Sequence, residues 1–227
     1  RWQSAEGKTD RATRNGASAL GTRHPALHVS AQSGAMLPRV AHEAIKRGFH
    51  DLVYATGIPG TVGGAVMSNA GAYGWCMARN LASVRYLASD GEVRSDPNER
   101  LELSYRHSRF KRTGEIVLAA ELLLHQSEPP AKSGELNRKR RESQPLTMPN
   151  AGSMFKNPPN AAAGYLIEQA GLKGRRCGNA QISDKHANFI VNLGGAQAAE
   201  VLELIRIAQA AVKEPLELEV QLVGEWV

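Results

Sequence analysis

The amino-acid sequence predicts an α+β fold made of two domains, residues 1–128 and 129–227. Apolar residues repeat at helical spacing in 36–47, whereas 83–95 contain two β-prone runs around an Asp-Gly pair, which is a strong hairpin signal. The stretch QSEPPAKSG at 126–134 is rich in proline and small polar residues, a composition typical of linkers. Helical and strand patterns on both sides of it predict two mixed domains.

In the first domain, the amphipathic helix at 36–47 is expected to end at Gly48, because glycine commonly closes helices. The hairpin that follows turns at Asp90-Gly91. A further strand, EIVLAAELLLH, covers 115–125.

The second domain is predicted to begin with a polar helix that contains the basic run RKRR at 138–141. A short helix around Tyr165 ends at Gly171, and a buried strand lies in HANFIVNLGG, 186–195. Apolar residues at helical spacing then predict a helix of about four turns over 198–212.

The segment LELEVQLVG, 216–224, alternates apolar and polar residues strictly, which predicts a strand with one apolar and one polar face. The apolar face would hold Leu216, Leu218, Val220 and Leu222, and the polar face Glu217, Glu219 and Gln221.

Composition limits the possible function classes. No apolar run approaches the ~20 residues that span a bilayer and no signal peptide opens the chain, so a cytoplasmic protein without membrane contact is expected. The cysteines, Cys76 and Cys177, lie in no metal-binding pattern, and no metal site is predicted. The net charge of +6 favours anionic partners, but the run at 138–141 lacks interleaved aromatic residues, which favours a solvated helix over nucleic-acid binding.

The stretch GIPGTVGGAVMSNAGAYG, 57–74, contains six glycines. Glycine is costly inside helices and strands, so such a run indicates left-handed backbone or close approach of another group. The glycine spacing is not that of a P-loop. A surface on which backbone N–H groups face an anion and a planar ligand lies flat is the favoured interpretation, and a tightly packed chain reversal is the alternative.

Four motifs occur in the order found in one flavoenzyme family. They are the glycine-rich stretch, SYRHSRFK at 104–111, AGSMFKNP at 151–158, and QISDKHANFIVN at 181–192, which is followed by the terminal LELEV. Over about residues 30–222 the chain resembles the UDP-N-acetylenolpyruvoylglucosamine reductase family, which is also called UDP-N-acetylmuramate dehydrogenase.

The resemblance implies an FAD-binding domain of the vanillyl-alcohol oxidase (PCMH) type, followed by a smaller α+β domain that holds a UDP-sugar. It implies that NADPH reduces FAD, and that UDP-N-acetylglucosamine enolpyruvate is then reduced to UDP-N-acetylmuramate for peptidoglycan precursor synthesis. A monomer is expected. The residues that the resemblance places around the FAD are Gly57, Pro59, Gly60, Thr61, Gly63, Gly64, Asn69, Gly71 and Ala72.

The resemblance also assigns the catalytic residues. Hydride addition to an enol ether requires charge to spread into the neighbouring carboxylate as an enolate, which then needs a proton. Arg106 and Glu219 would polarise the enolpyruvyl group, and Ser153 would donate the proton. The substrate-binding residues implied by the motifs are Tyr105, Lys156 and Asn157.

Three features depart from the family pattern or have no assigned role. The family's earlier G-x-G-S-N loop, which cradles the FAD diphosphate, has no match, since NGASALG at 15–21 lacks its spacing. The FAD-binding domain is therefore expected to be incomplete at its N-terminus. Leu218 replaces the proline of the usual LEPEV, and His186 receives no catalytic assignment.

Three alternatives stay open at this point. A flavin oxidoreductase for another small substrate would need different residues at Arg106, Ser153 and Glu219. A non-catalytic, flavin-free UDP-sugar-binding remnant would fit the missing loop. A basic nucleic-acid-binding module would show strongly salt-dependent DNA binding.

Overall fold

A computed structural model of the chain describes residues 2–4, 26–126 and 133–220. Within these ranges no helix is long and apolar enough to cross a membrane.

The chain divides into two units, residues 1–137 and 138–227, each with its own hydrophobic core. The predicted domain boundary, 128/129, lies nine residues before this division. Because 127–132 are outside the described residues, the boundary stays a prediction.

The first unit is built on an antiparallel five-stranded sheet of order β1-β2-β7-β5-β6. Its elements are β1 (Trp2–Ser4), β2 (Ala26–Gln32), α1 (Leu37–Lys46), α2 (Val62–Met67), β3 (Gly71–Ala72), β4 (Trp75–Cys76), β5 (Leu81–Leu87), β6 (Val93–Pro97), α3 (Phe110–Thr113) and β7 (Ile116–His125). Short 3-10 helices cover Val53–Gly57, Met77–Arg79 and Asn98–Arg100. β3 and β4 form a separate two-stranded ribbon.

Local sequence signals explain the main elements of this unit. α1 gives way to a left-handed Gly48, φ +82°, as predicted. The β5–β6 hairpin turns at Asp90-Gly91, where Gly91 has φ +86° and Glu92 N donates to Asp90 Oδ1 at 3.1 Å. The predicted strand at 115–125 is confirmed as β7, which lies at the centre of the sheet.

The second unit contains an antiparallel four-stranded sheet of order β8-β11-β10-β9. Its elements are α4 (Ser133–Ser143, within which the division falls), β8 (Asn150–Ser153), α5 (Ala163–Gln169), β9 (Arg176–Cys177), β10 (Ala180–Ile182), β11 (Phe189–Asn192) and α6 (Ala198–Ala211). The predicted helices around Tyr165 and over 198–212 and the strand in 186–195 are confirmed.

The predicted strand at the end of the chain is wrong for its described part. Between 216 and 220 the only strand-like pairing is an isolated bridge from Leu218 to Phe155. Leu216 is buried and Val220 packs against the core of this unit, but Leu218 is 43% exposed, so the expected apolar face is only partly formed. The segment follows 154–156 through backbone hydrogen bonds, and no described residue covers the Leu218 side chain enough to bury it. Gln221 and Leu222 lie outside the described residues.

Candidate functional site

The glycine-rich segment 57–74 begins as the 3-10 helix ends and then forms α2. Gly60 has φ +121°, and its carbonyl accepts a hydrogen bond from Leu37 N at 3.0 Å. Thr61 caps α2, with its Oγ1 accepting from Gly64 N at 3.3 Å. The predicted residues Gly57, Pro59 and Gly60 thus lie on the approach to α2, where Pro59 and Gly60 are exposed.

Close protein packing explains two of the glycines. A Cβ on Gly63 would lie 2.7 Å from Ser33 Cβ and 3.2 Å from Ser33 O, and Gly63 N already donates to that carbonyl at 2.8 Å. A Cβ on Gly71 would lie 2.3 Å from Trp75 O, across the ribbon in which Ala72 pairs with Trp75. Close packing therefore requires glycine at both positions, and the predicted FAD contacts of Gly63 and Gly71 stay predictions.

Gly64 differs from its neighbour. A Cβ there would meet one atom within 4 Å, Thr61 Oγ1 at 3.7 Å. Gly64 is exposed and lines an open groove of about 410 Å³. Small residues form much of the wall of this groove, which consists of Ser33, Gly34, Thr61, Gly63, Gly64 and Met67 together with 114–117. A side chain at Gly64 would fill space that is open to a ligand.

The motif at 104–111 is fastened to the glycine-rich segment by side-chain hydrogen bonds. Asn69 Nδ2 donates to Ser104 O at 2.9 Å, and Ser108 Oγ donates to Met67 O at 2.7 Å. Arg106 Nη2 lies 3.4 Å from Gly71 O. The fold therefore brings the predicted flavin segment and the predicted catalytic arginine together.

Asn69 is buried, and both ends of its amide bind protein backbone. In addition to the bond to Ser104, its Oδ1 accepts from Ala78 N at 2.9 Å. These two hydrogen bonds hold the backbone after the β3–β4 ribbon beside the Arg106 turn. The predicted FAD contact of Asn69 stays a prediction.

Arg106 lies in a tight turn closed by reciprocal backbone hydrogen bonds between Ser104 and His107, at 3.2 and 3.1 Å. Its backbone is left-handed, φ +56°, a conformation that non-glycine residues rarely adopt and that often marks functional sites. Lys111 Nζ donates to the Arg106 carbonyl at 3.0 Å. Tyr105 is 53% exposed, and its ring lies 5.1 Å from the Arg106 guanidinium carbon.

An ion network anchors the other end of this motif. Arg109 Nη1 lies 2.7 Å from Asp96 Oδ2, and its Nε lies 3.1 Å from Glu115 Oε2. The hydrogen bond from Tyr86 and the ion pair with Arg109 hold the pKa of Asp96 below its usual value. Because Glu115 lines the groove, the network joins the Arg106 motif to the groove wall.

The second unit gathers three predicted site residues around one stretch of backbone. Ser153 ends β8 and is half-buried. Glu219 N donates to Met154 O at 2.8 Å, and Lys156 N donates to Glu217 O at the same distance. Lys156 Nζ forms an ion pair with Glu217 Oε2 at 3.1 Å. Ser153, Lys156 and Glu219 are thus held in one local arrangement.

Asn157 is exposed, and its Oδ1 accepts a hydrogen bond from Ala163 N, the first residue of α5, at 3.0 Å. Arg106 belongs to the first unit, whereas Ser153 and Glu219 belong to the second. The roles of the predicted residues stay predictions.

His186 lies against Phe189, with ring centroids 4.8 Å apart, and its Nδ1 accepts from Asn188 N at 3.2 Å. Burial, and secondarily the positive charge of Lys173, lower the pKa of His186 below its ordinary value of 6.5, while Glu168 acts weakly in the opposite direction. The ring is therefore neutral near pH 7.

This lowered pKa predicts a pH effect on stability. As pH falls below about 6.5 the unfolded chain takes up the His186 proton first, so stability is full above that pH and declines towards the folded pKa. Between about pH 7 and about pH 5.5 the wild-type Tm should fall more than that of His186→Gln. Thermal melts of both proteins measure it, and parallel curves would contradict the assignment.

Two residues that the sequence analysis left unassigned shape the site. Ser33 forms the contact that makes Gly63 necessary, and Asn188 bonds the backbone beside Ser153. No signal in the sequence identified Ser33, which precedes the predicted helix at 36–47. For Asn188, the only signal in the sequence was its position inside the motif QISDKHANFIVN, 181–192.

Comparisons with known proteins agree with this organisation. Residues 22–96 match a sequence profile described as an FAD binding domain, and residues 144–225 match one described as UDP-N-acetylenolpyruvoylglucosamine reductase, C-terminal domain. A UDP-N-acetylenolpyruvoylglucosamine reductase of Clostridium botulinum (strain 657 / Type Ba4) is 44% identical over 204 residues, which is 87% of this chain and 67% of the relative. The chain belongs to the UDP-N-acetylenolpyruvoylglucosamine reductase family.

Other members of the reductase family give the same result. The Caldicellulosiruptor bescii reductase is 44% identical over 87% of this chain and 66% of its own length. The crystal structure of the reductase from Thermus caldophilus superposes with a TM-score of 0.75 at 42% identity, covering 83% of this chain and 70% of that chain. The chain spans about two thirds of the length of the curated relatives it matches.

Family membership confirms the predicted fold class, in which an FAD-binding domain precedes the domain characteristic of these reductases. It also confirms the expected cofactor, FAD, and the class of FAD-dependent oxidoreductases that serve peptidoglycan synthesis.

Proposed function

We propose that this chain uses NADPH and bound FAD to reduce UDP-N-acetylglucosamine enolpyruvate to UDP-N-acetylmuramate. The observation that carries the proposal is the set of hydrogen bonds, Asn69 to Ser104, Ser108 to Met67 and Arg106 to Gly71, that fastens the Arg106 turn to the glycine-rich segment. Cofactor and substrate chemistry require these two motifs to be neighbours.

The groove beside α2 supports the flavin-binding part of this proposal. Its small residues leave backbone accessible, and Gly64 and Gly34 would each present open space to a ligand. Thr61, Gly63 and Gly64 would then hold the FAD, with Gly71 and Ala72 near the Arg106 side. When bound, FAD supplies the redox chemistry, since it accepts a hydride from NADPH and delivers a hydride to the substrate.

The protein's own groups would stabilise the charge that develops on the substrate. Arg106 presents a rigid fork of donors suited to the enolpyruvyl carboxylate, and Glu219 would assist polarisation of the same group. The Ser153 hydroxyl would give its proton to the enolate carbon. A serine hydroxyl is a weak acid, but an enolate is basic enough to accept its proton when the geometry is good.

Lys156 would bind the anionic UDP moiety. Its ammonium group is already paired with Glu217, a side chain that is 74% exposed, and such exposed pairs contribute little to stability. A substrate phosphate can therefore take over the lysine at low cost. Asn157 and Tyr105 would complete the substrate contacts.

We further propose that the protein acts as a monomer in the cytoplasm, without nucleic-acid or membrane partners. Both cysteines are free thiols, as is usual in reducing compartments. Within the described ranges no three His, Cys, Asp or Glu side chains are grouped to hold a metal.

The proposal is tested by adding FAD to the purified chain and recording its visible spectrum under anaerobic conditions. NADPH should bleach the bound flavin, and the enolpyruvyl UDP-sugar should restore its colour with formation of UDP-N-acetylmuramate. Binding of the UDP-sugar without FAD binding would instead favour the flavin-free remnant. A bound flavin that NADPH bleaches but this substrate does not reoxidise would favour another small substrate.

A further inference from the structure

Asn188 is a buried side chain that holds the backbone of the substrate motif. It is 2% exposed and directly precedes β11. Its Oδ1 accepts from Phe155 N at 3.0 Å, and its Nδ2 donates to Phe155 O at 2.8 Å. Its own carbonyl accepts from Met154 N at 2.9 Å. These bonds satisfy three of the four polar groups of the 154–155 backbone.

The residues held in this way lie between the proposed chemical groups. Ser153 precedes the pair, and Lys156 follows it. On the other side, Glu219 N donates to Met154 O at 2.8 Å. A shift of the 154–155 backbone would therefore move the proton donor, the phosphate-binding lysine and the segment that carries Glu219 together.

The primary amide is suited to this task because one side chain offers a donor and an acceptor to the N–H and C=O of a single residue. Alanine would leave both backbone groups of buried Phe155 without these partners, which is costly. An ionised aspartate would keep the acceptor and lose the donor. The Asn188 side chain bonds backbone and touches no proposed reacting atom.

We propose that Asn188 is a positioning residue that fixes Ser153 and Lys156 for the UDP-sugar reaction, an inference that rests on the proposed function. Since misplacement by about 1 Å can reduce a rate by about a hundredfold, Asn188→Ala should slow substrate-dependent reoxidation of the flavin by about tenfold to a hundredfold. FAD binding should not change, because the match to an FAD binding domain, residues 22–96, lies in the first unit.

Asn188→Asp provides a readout that a purely structural role would not give. Burial raises the pKa of a carboxyl group, and a protonated aspartate again has one donor and one acceptor. The reoxidation rate of Asn188→Asp relative to wild type should therefore rise between about pH 8 and about pH 6, whereas the relative rate of Asn188→Ala should stay flat. A flat ratio for both variants would overturn the inference.

Gln181→Ala is the matched control. Gln181 is also a buried amide of the second unit, and its Nε2 donates to Gly174 O at 3.2 Å, away from the substrate motif. It should lose thermal stability without loss of reoxidation rate. If Asn188→Ala behaves like this control, Asn188 is structural only.

A second measurement separates failure of the inference from failure of the proposed function. If the wild-type chain shows no substrate-dependent reoxidation, the proposed function fails. The inference is then judged by calorimetric titration of the wild type, Asn188→Ala and Gln181→Ala with UDP-N-acetylglucosamine. Weakening by about tenfold in Asn188→Ala alone would support positioning of Lys156, and equal affinities or absence of wild-type binding would overturn it.

Discussion

Ser153→Ala should lower the rate at which the enolpyruvyl UDP-sugar reoxidises the reduced flavin by about 10²–10⁴-fold, the usual contribution of a positioned general acid. The hydroxyl lies at the end of β8, beside the backbone that Glu219 and Lys156 contact. Its removal leaves the enolate carbon without a proton source of fixed position. Stopped-flow absorbance of the anaerobic protein measures the rate.

Two controls test whether the loss in Ser153→Ala comes from the missing proton donor. Bleaching of the flavin by NADPH should proceed at the wild-type rate in Ser153→Ala, because the first half of the reaction does not use the serine. Ser153→Cys should recover part of the loss, since a thiol is a stronger acid than an alcohol. Wild-type reoxidation by Ser153→Ala would remove the serine from the mechanism.

Gly63→Ala and Gly64→Ala should have opposite effects, although they make the same change at neighbouring positions of α2. The Gly63 methyl would lie 2.7 Å from Ser33 Cβ and close to its backbone. Overpacking of this kind costs about 2 kcal/mol of folding free energy. The Gly64 methyl meets no atom closer than 3.7 Å, so that variant should be as stable as wild type or gain about 0.5 kcal/mol from helix propensity.

The Gly64 substitution should instead show its effect on FAD binding. Because Gly64 lines the groove, Gly64→Ala should weaken FAD binding by about tenfold or more while the protein remains folded. Urea unfolding without FAD and flavin titration measure the two effects separately. Unchanged FAD affinity in Gly64→Ala would place the flavin elsewhere, and full stability of Gly63→Ala would refute the close-packing explanation of that glycine.

The glycines of segment 57–74 have different environments that the sequence did not distinguish. Their number predicted unusual backbone, but the sequence could not say which glycine faces protein and which faces open space. Gly63 and Gly71 are explained by Ser33 and by Trp75, and the closeness of Gly63 to Ser33, thirty residues earlier, depends on tertiary packing. Of the three, Gly64 alone has open space where its side chain would lie, and the FAD contacts of all three stay predictions.

The end of the chain shows the limit of periodicity as evidence. Alternation at 216–220 predicted two faces, but alternation alone cannot tell whether a neighbouring layer exists to bury the apolar one. Leu216 joins the core of the second unit, whereas Leu218 stays exposed because nothing described encloses it. Leu218, which replaces the proline of the usual LEPEV motif, is therefore exposed rather than packed in a core.

By itself, the sequence determined the α+β class, the helices and hairpins with strong local signals, and through its motifs the flavoenzyme family. Local chemistry suffices for these features because caps, turns and periodic faces act over a few residues. Only the tertiary structure decided that Asn69 and Ser108 fasten the Arg106 turn to the flavin segment, and that Asn188 holds the backbone between Ser153 and Lys156. Such contacts join residues 33 to 41 positions apart, and pairing over that distance is set by the packing of whole elements.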